Sequence, residues 1–226
     1  MNIASVSMCI SLLSLMLAIY HTSMIYLLIA FLMAVISSFM VKSSPVRFEN
    51  PIHSEMHISQ HGLKRPILKS IFLYGLLGLL MGFPLNTIYK VPILESLIVP
   101  IVIFASLLLH EVGHVMILKS FAKVKLTYVS YKFLFLEFIY GFFVIITDNA
   151  ASWRWNALSG IIGPLVNLGL AFIFLTIGGP FTIAFMFNSV VSCFELFPIS
   201  IASDNVKPSD GEVFAYYMKR GIMRTN

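Results

Sequence analysis

The chain has 226 residues, of which 58% are hydrophobic and only 11% are charged. Soluble domains carry charge at about 25% of positions, so this composition excludes a water-facing surface over most of the molecule and describes an integral membrane protein. The net charge of +5 then belongs to loops that orient membrane spans, not to a face that binds nucleic acid.

No Asp, Glu, Lys or Arg occurs in Met1–Val41, Ser70–Tyr89 or Trp155–Phe194, and a spanning helix needs about 20 apolar residues. The first stretch divides at His21, Thr22 and Ser23 into Ile3–Tyr20 and Met24–Val41, which read as a helical hairpin. It lacks the basic n-region of a signal peptide and is expected to remain as an anchor. The following loop, 42–69, sets Lys42, Arg47, Lys64, Arg65 and Lys69 against Glu49 and Glu55. The positive-inside rule places it in the cytoplasm together with the N-terminus. A third span is expected over Ser70–Tyr89 and a fourth over Ser96–Leu118, which returns to cytoplasmic Lys119, Lys123 and Lys125.

Val124–Thr147 is rich in Val, Ile, Thr, Tyr and Phe but is interrupted by Lys132, Glu137 and Gly141. That pattern favours strands: a small membrane-associated β-hairpin or re-entrant sheet between spans four and five, with a seventh span as the alternative. Gly178, Gly179 and Pro180 then split the segment from Arg154 to Glu195 into spans five and six. The tail carries Lys207, Lys219, Arg220 and Arg224 and returns to the cytoplasm. The expected fold is an all-α polytopic protein of about six transmembrane helices, both termini cytoplasmic, in the cell membrane. A three-span region, 1–95, precedes a core, 96–226, and no soluble accessory domain is visible. Cys9 and Cys193 lie in apolar stretches and read as small buried hydrophobes, not as a disulfide.

The fourth span contains His110-Glu111-Val112-Gly113-His114. On a helix His110 and His114 lie one turn apart on one face, where two imidazoles can hold one zinc ion. Glu111 then lies beside the metal, where a carboxylate can take a proton from water and pass it to a leaving amine. With 6 His in the chain, chance supplies about 0.005 matches to this H-E-x-x-H pattern, and ionisable residues inside a span are by default functional. His110 lies about 12–13 Å from the cytoplasmic end of its helix at 1.5 Å per residue, so the metal sits below the membrane surface.

A catalytic zinc takes three protein ligands and leaves a fourth position for water. The chain has three Asp residues, Asp148, Asp204 and Asp210. Spans four and six both end on the cytoplasmic side, so residues just after span six can reach the histidines. Asp210 is the first choice as third ligand and Asp204 the alternative. Ser209 or Asp210 can instead cap a short terminal helix beginning near Glu212. Asn167, an amide within a span, is read either as packing inward near the zinc helix or as touching substrate.

Together these residues resemble the site-2 protease family, intramembrane zinc metalloproteases that cut substrates within or near a transmembrane helix. The resemblance rests on the H-E-V-G-H helix, on Gly160-Ile161-Ile162-Gly163-Pro164-Leu165-Val166-Asn167, which looks like the family's G-P-x-x-N element, and on Pro198 followed by Asp210-Gly211, which looks like its N-x-x-P…D-G element. It covers Ser96 to Phe214. It implies that His110, His114 and Asp210 bind Zn²⁺ and that Glu111 is the general base. The family also has a membrane-associated sheet where Val124–Thr147 stands, able to pair with an unwound substrate. Glu195 occupies the position of the family's Asn before the proline, and an ionised carboxylate cannot donate a hydrogen bond to an oxyanion. Asn188, Asn205 or a protonated Glu195 are the substitutes.

The expected function is that of an intramembrane zinc metalloendopeptidase acting on a membrane-protein or membrane-associated peptide substrate in the lipid bilayer. The alternative is a non-proteolytic membrane protein that keeps zinc for structure or partner binding. A metal transporter is disfavoured by the scarcity of polar residues in spans one to three. His53, His57 and His61, spaced four apart, form one stripe if their loop is helical, either a solvated face or a second metal site.

Overall fold

In the computed structural model the described residues are 3–40, 64–89, 92–133, 136–147, 149–197 and 209–225. They form seven α-helices and one two-stranded sheet: α1 (Ile3–His21), α2 (Met24–Met40), α3 (Lys64–Tyr89), α4 (Ile93–Leu118), β1 (Lys123–Phe133), β2 (Leu136–Thr147), α5 (Trp153–Ile177), α6 (Thr182–Phe194) and α7 (Asp210–Thr225). Two stretches are long and apolar enough to cross a membrane, Leu97–Leu118 in α4 and Trp153–Ile177 in α5. The apolar helices α1, α2 and α6 and the segment Ile67–Leu80 of α3 are shorter.

Helix α3 begins at Lys64, not Ser70, so Lys64, Arg65 and Lys69 occupy its first turns instead of a loop. Pro66 falls within that first turn, where a missing N–H costs no helical hydrogen bond. The other turn signals act as their chemistry requires. Thr22, with φ of 46°, reverses the chain between α1 and α2, and Gly178 and Gly179, with φ of 70° and 58°, separate α5 from a single 3₁₀ turn, Gly179–Phe181, that leads into α6.

The packing falls into two clusters. Leu15 and Ala18 of α1, Leu27, Ala30, Phe31 and Ala34 of α2, Ala171 and Phe174 of α5 and Ala184, Phe185 and Cys193 of α6 form one, closed by Leu196 and Phe197. Small residues let these helices approach closely, and Ser11 Oγ donates to the Ala30 carbonyl at 2.7 Å across the α1–α2 seam. Phe104 of α4, Tyr128 of β1 and Ile139 and Phe142 of β2 form the second cluster, with Tyr74 of α3 packed against it.

The expected β-hairpin is present. Its antiparallel register runs from Lys123↔Thr147 to Phe133↔Leu136, with a bulge opposite Val129 and Ser130. Helix α3 covers the outer edge of β2 at that point: Ile139 N donates to Ser70 Oγ and Tyr74 OH donates to the Ile139 carbonyl, both at 3.0 Å. Two side chains one helical turn apart thus satisfy a backbone pair that the hairpin leaves open.

Candidate metal centre

Three helices build the site. Helix α4 presents His110 and His114, whose ring centroids lie 5.0 Å apart. Helix α7 begins with Asp210, and a single carboxylate oxygen, Oδ2, lies 3.0 Å from His110 Nε2 and 3.2 Å from His114 Nε2. Helix α5 backs both rings. His114 Nδ1 donates to the Ser159 carbonyl at 2.6 Å, and His110 Nδ1 lies 2.8 Å from the Asn167 amide.

These outer contacts determine what the inner nitrogens can do. A neutral imidazole that donates through Nδ1 has a lone pair on Nε2, and in both rings Nε2 is the atom facing Asp210. At His110 this requires the Asn167 amide to present its oxygen. With Nδ2 toward the ring, Asn167 Oδ1 has no hydrogen-bond partner among the described residues although the side chain is 1% exposed. Turning the amide end for end lets Oδ1 accept from Nδ1–H. Asn167 therefore packs inward against the histidine helix.

Two glycines of α5 make the approach possible. A Cβ at Gly163 would lie 2.5 Å from both His110 Nε2 and His114 Nε2, and a Cβ at Gly160 would lie 2.6 Å from Phe214 N and 2.9 Å from the Asp210 carbonyl oxygen. Gly163 thus leaves open the space in front of the two inner nitrogens, and Gly160 lets α7 dock so that Asp210 reaches them.

Asp210 is not consumed as a helix cap. Ser209 takes that role: its Oγ accepts from Glu212 N at 3.2 Å while Glu212 Oε2 accepts from Ser209 N at 3.0 Å, a reciprocal capping box. Asp210 is 5% exposed. Burial alone would raise its pKa, but His114 and His110 beside it, in their charged forms, hold the carboxyl below the usual carboxylate range.

Among the described residues, His110, His114 and Asp210 form a buried group that could hold a metal ion, with ligand atoms all within 4.8 Å of one another. Two neutral nitrogens and one carboxylate oxygen, each ring anchored from behind and a glycine keeping the front clear, fit a cation with three protein ligands. Glu111 is also buried, at 7% exposure, beside His110 on α4. Glu195 is exposed at the end of α6, and what it contributes next to the site is its carbonyl, which accepts from Gly211 N at 3.0 Å. Asn188 is fully buried between α6 and α4, donating to Ser106 Oγ at 3.2 Å. Asp148, Asp204, Asn205 and the stripe His53, His57 and His61 lie outside the described residues. Ser159 carried no sequence signal, because it acts through its backbone carbonyl. Comparison with protein-family models, curated proteins and solved structures finds no match to this chain.

Proposed function

We propose that the chain is a six-span intramembrane zinc metalloendopeptidase, similar in its site to the site-2 protease family, that hydrolyses a peptide bond within or near a transmembrane helix of another membrane protein. One observation carries the reading. A histidine pair with Glu111 in its first step converges on a carboxylate 100 residues away, inside the apolar stretch Leu97–Leu118, whose one Asp, Glu, Lys or Arg is Glu111. The membrane setting is supported by the side chains that the packing leaves outside, among them Leu13, Met16, Leu68, Phe72, Met116, Phe172, Ile173 and Ile177. Apolar residues exposed on so many helices suit hydrocarbon, not water. The loop charges support cytoplasmic termini.

His110 Nε2, His114 Nε2 and Asp210 Oδ2 would hold zinc. When bound, zinc supplies Lewis acidity toward a peptide carbonyl and makes water a nucleophile near neutral pH. Ser159 and Asn167 fix the imidazole orientations, so Nε2 of each ring is the nitrogen aimed at the ion. Glu111 accepts a proton as water oxygen bonds to the carbonyl carbon, and then delivers it to the amide nitrogen as the C–N bond breaks, leaving a carboxylic acid whose remaining proton passes to the freed amine, giving a carboxylate and an ammonium. A helical substrate shields its carbonyls in its own hydrogen bonds, so the scissile segment must unwind. The β1–β2 hairpin, attached directly to the end of α4, is suited to receive it as an added strand.

Co-reconstitution with a membrane substrate tests this. Glu111→Gln should retain zinc and lose about 10²–10⁴-fold in cleavage rate. Equal cleavage by wild type and Glu111→Gln would overturn the mechanism. Glu195, standing where the family has Asn, favours one competing reading, a zinc-holding membrane protein without turnover. In that case zinc binds stoichiometrically and neither protein cleaves.

A further inference from the structure

Helices α1 and α2 lie outside the segment that resembles a protease, yet the last turn of α2 reaches the backbone next to Asp210. Ser38 is 2% exposed. Its hydroxyl donates to the Leu196 carbonyl, 158 residues away, and lies within reach of Ala34 O in its own helix. Leu196 is fully buried in the turn that closes α6. That turn also holds the start of α7, because Gly211 N donates to the Glu195 carbonyl at 3.0 Å. Space there is tight: a Cβ at Gly211 would run into the Leu196 carbonyl oxygen and Ser38 Oγ together. One residue along α2, Phe39 meets Phe214 of α7 edge to face, with ring centroids 5.2 Å apart. Asp210 is the residue immediately before Gly211.

We infer that Ser38 is a positioning residue of the metal centre: through the Leu196 carbonyl and the Gly211 backbone it fixes where α7 begins, and so where Asp210 Oδ2 stands relative to His110 and His114. The α1–α2 hairpin is then a structural part of the site. The argument runs through distance and burial. A carboxylate 3.0 Å and 3.2 Å from two ring nitrogens is placed by the backbone that carries it. Gly160 of α5 lies close to that backbone, and Ser38 of α2 lies beside the next residue, Gly211, while bonding the Leu196 carbonyl. Coupling of this kind is reciprocal, so an ion that draws Asp210 toward the histidines must also stabilise the docking of α2.

This inference rests on the reading of His110, His114 and Asp210 as a zinc site, and not on proteolysis. The test titrates the purified full chain in detergent micelles with zinc alone. The variants are Ser38→Ala, Asp210→Ala and, as a matched control, Ser11→Ala, which removes a buried hydroxyl that bonds a carbonyl elsewhere in the same hairpin. Ser38→Ala should weaken zinc binding by about 10–100-fold, the usual cost of losing an outer support of a ligand, while Ser11→Ala stays within about twofold of wild type. Equal losses in the two serine variants, or none in Ser38→Ala, would overturn the positioning role. Absence of zinc binding by wild type would instead remove the metal reading and this inference with it. If Ser38→Ala does not fold, hydrogen exchange of the wild-type chain decides. Zinc should slow amide exchange over Ala34–Met40 in wild type but not in Asp210→Ala. Slowing confined to α4 and α5 overturns the proposal.

Discussion

The two halves of α5 belong to one continuous helix and meet very different surroundings. From Trp153 to Asn167 the buried positions are Asn156, Ala157, Ser159, Gly160, Gly163, Pro164 and Asn167, whereas beyond Asn167 only Ala171 and Phe174 are buried. In that second half Phe172, Ile173 and Ile177 are exposed. The glycines show the contrast most directly. Gly163 has two histidine nitrogens where its Cβ would be, and Gly169, six residues on in the same helix, has nothing within 4 Å. The first half is a template against which two other helices set their functional side chains; the second half supplies apolar surface.

That contrast can be broken most severely at Gly163. Gly163→Ala should lower zinc affinity by more than about 100-fold, exceeding the loss of an outer hydrogen bond, because the methyl group takes the space of the ligand nitrogens and one ring must move. Metal analysis of the purified variant beside its far-ultraviolet helical signal checks this: zinc lost with helix content retained is the expected outcome. Asn167→Ala should cost less, about 10–100-fold in zinc affinity, since His110 keeps its place on α4 but loses the partner that fixes its ring. Zinc competition with a chelator of known affinity measures it. A value equal to wild type would mean that the helix backbone alone orients His110. The smallest effect belongs to Gly169→Ala. Zinc affinity should be unchanged and stability raised by about 0.5–1 kcal/mol, because alanine loses less backbone freedom than glycine on entering a helix. Thermal loss of helical signal in micelles reads it, and a destabilised Gly169→Ala would place an unrecognised neighbour against that half of the helix.

Much of this architecture was legible because charge-free windows mark the apolar helices. The breaks at Thr22 and Gly178–Gly179 fall where the sequence places them. The hairpin was legible from its β-branched and aromatic residues. The start of α3 was not, because Lys64, Arg65 and Lys69 carry charge like the loop before them, and long basic side chains are also compatible with the first turns of a helix. Within the site, His110 and His114 follow from spacing alone, and Asp210 from which helix ends face the same side. The division of labour between Ser209 and Asp210 needed the structure, because both side chains can cap. So did Ser159, Gly163 and Ser38. A carbonyl, an absent methyl group and a hydroxyl that bonds backbone 158 residues away leave no pattern in one sequence, since their roles arise only when helices meet.

Asp210 is the first residue of α7, so the candidate third ligand rides on the end of a rod. Sliding that rod by a single residue is a movement of about 1.5 Å, enough to take a carboxylate oxygen out of reach of two imidazoles at 3.0 Å and 3.2 Å. Occupancy of an ion held by His110, His114 and Asp210 would therefore act as a vernier for α7: a pull or push along its axis would be registered at its first residue as an ion gained or released.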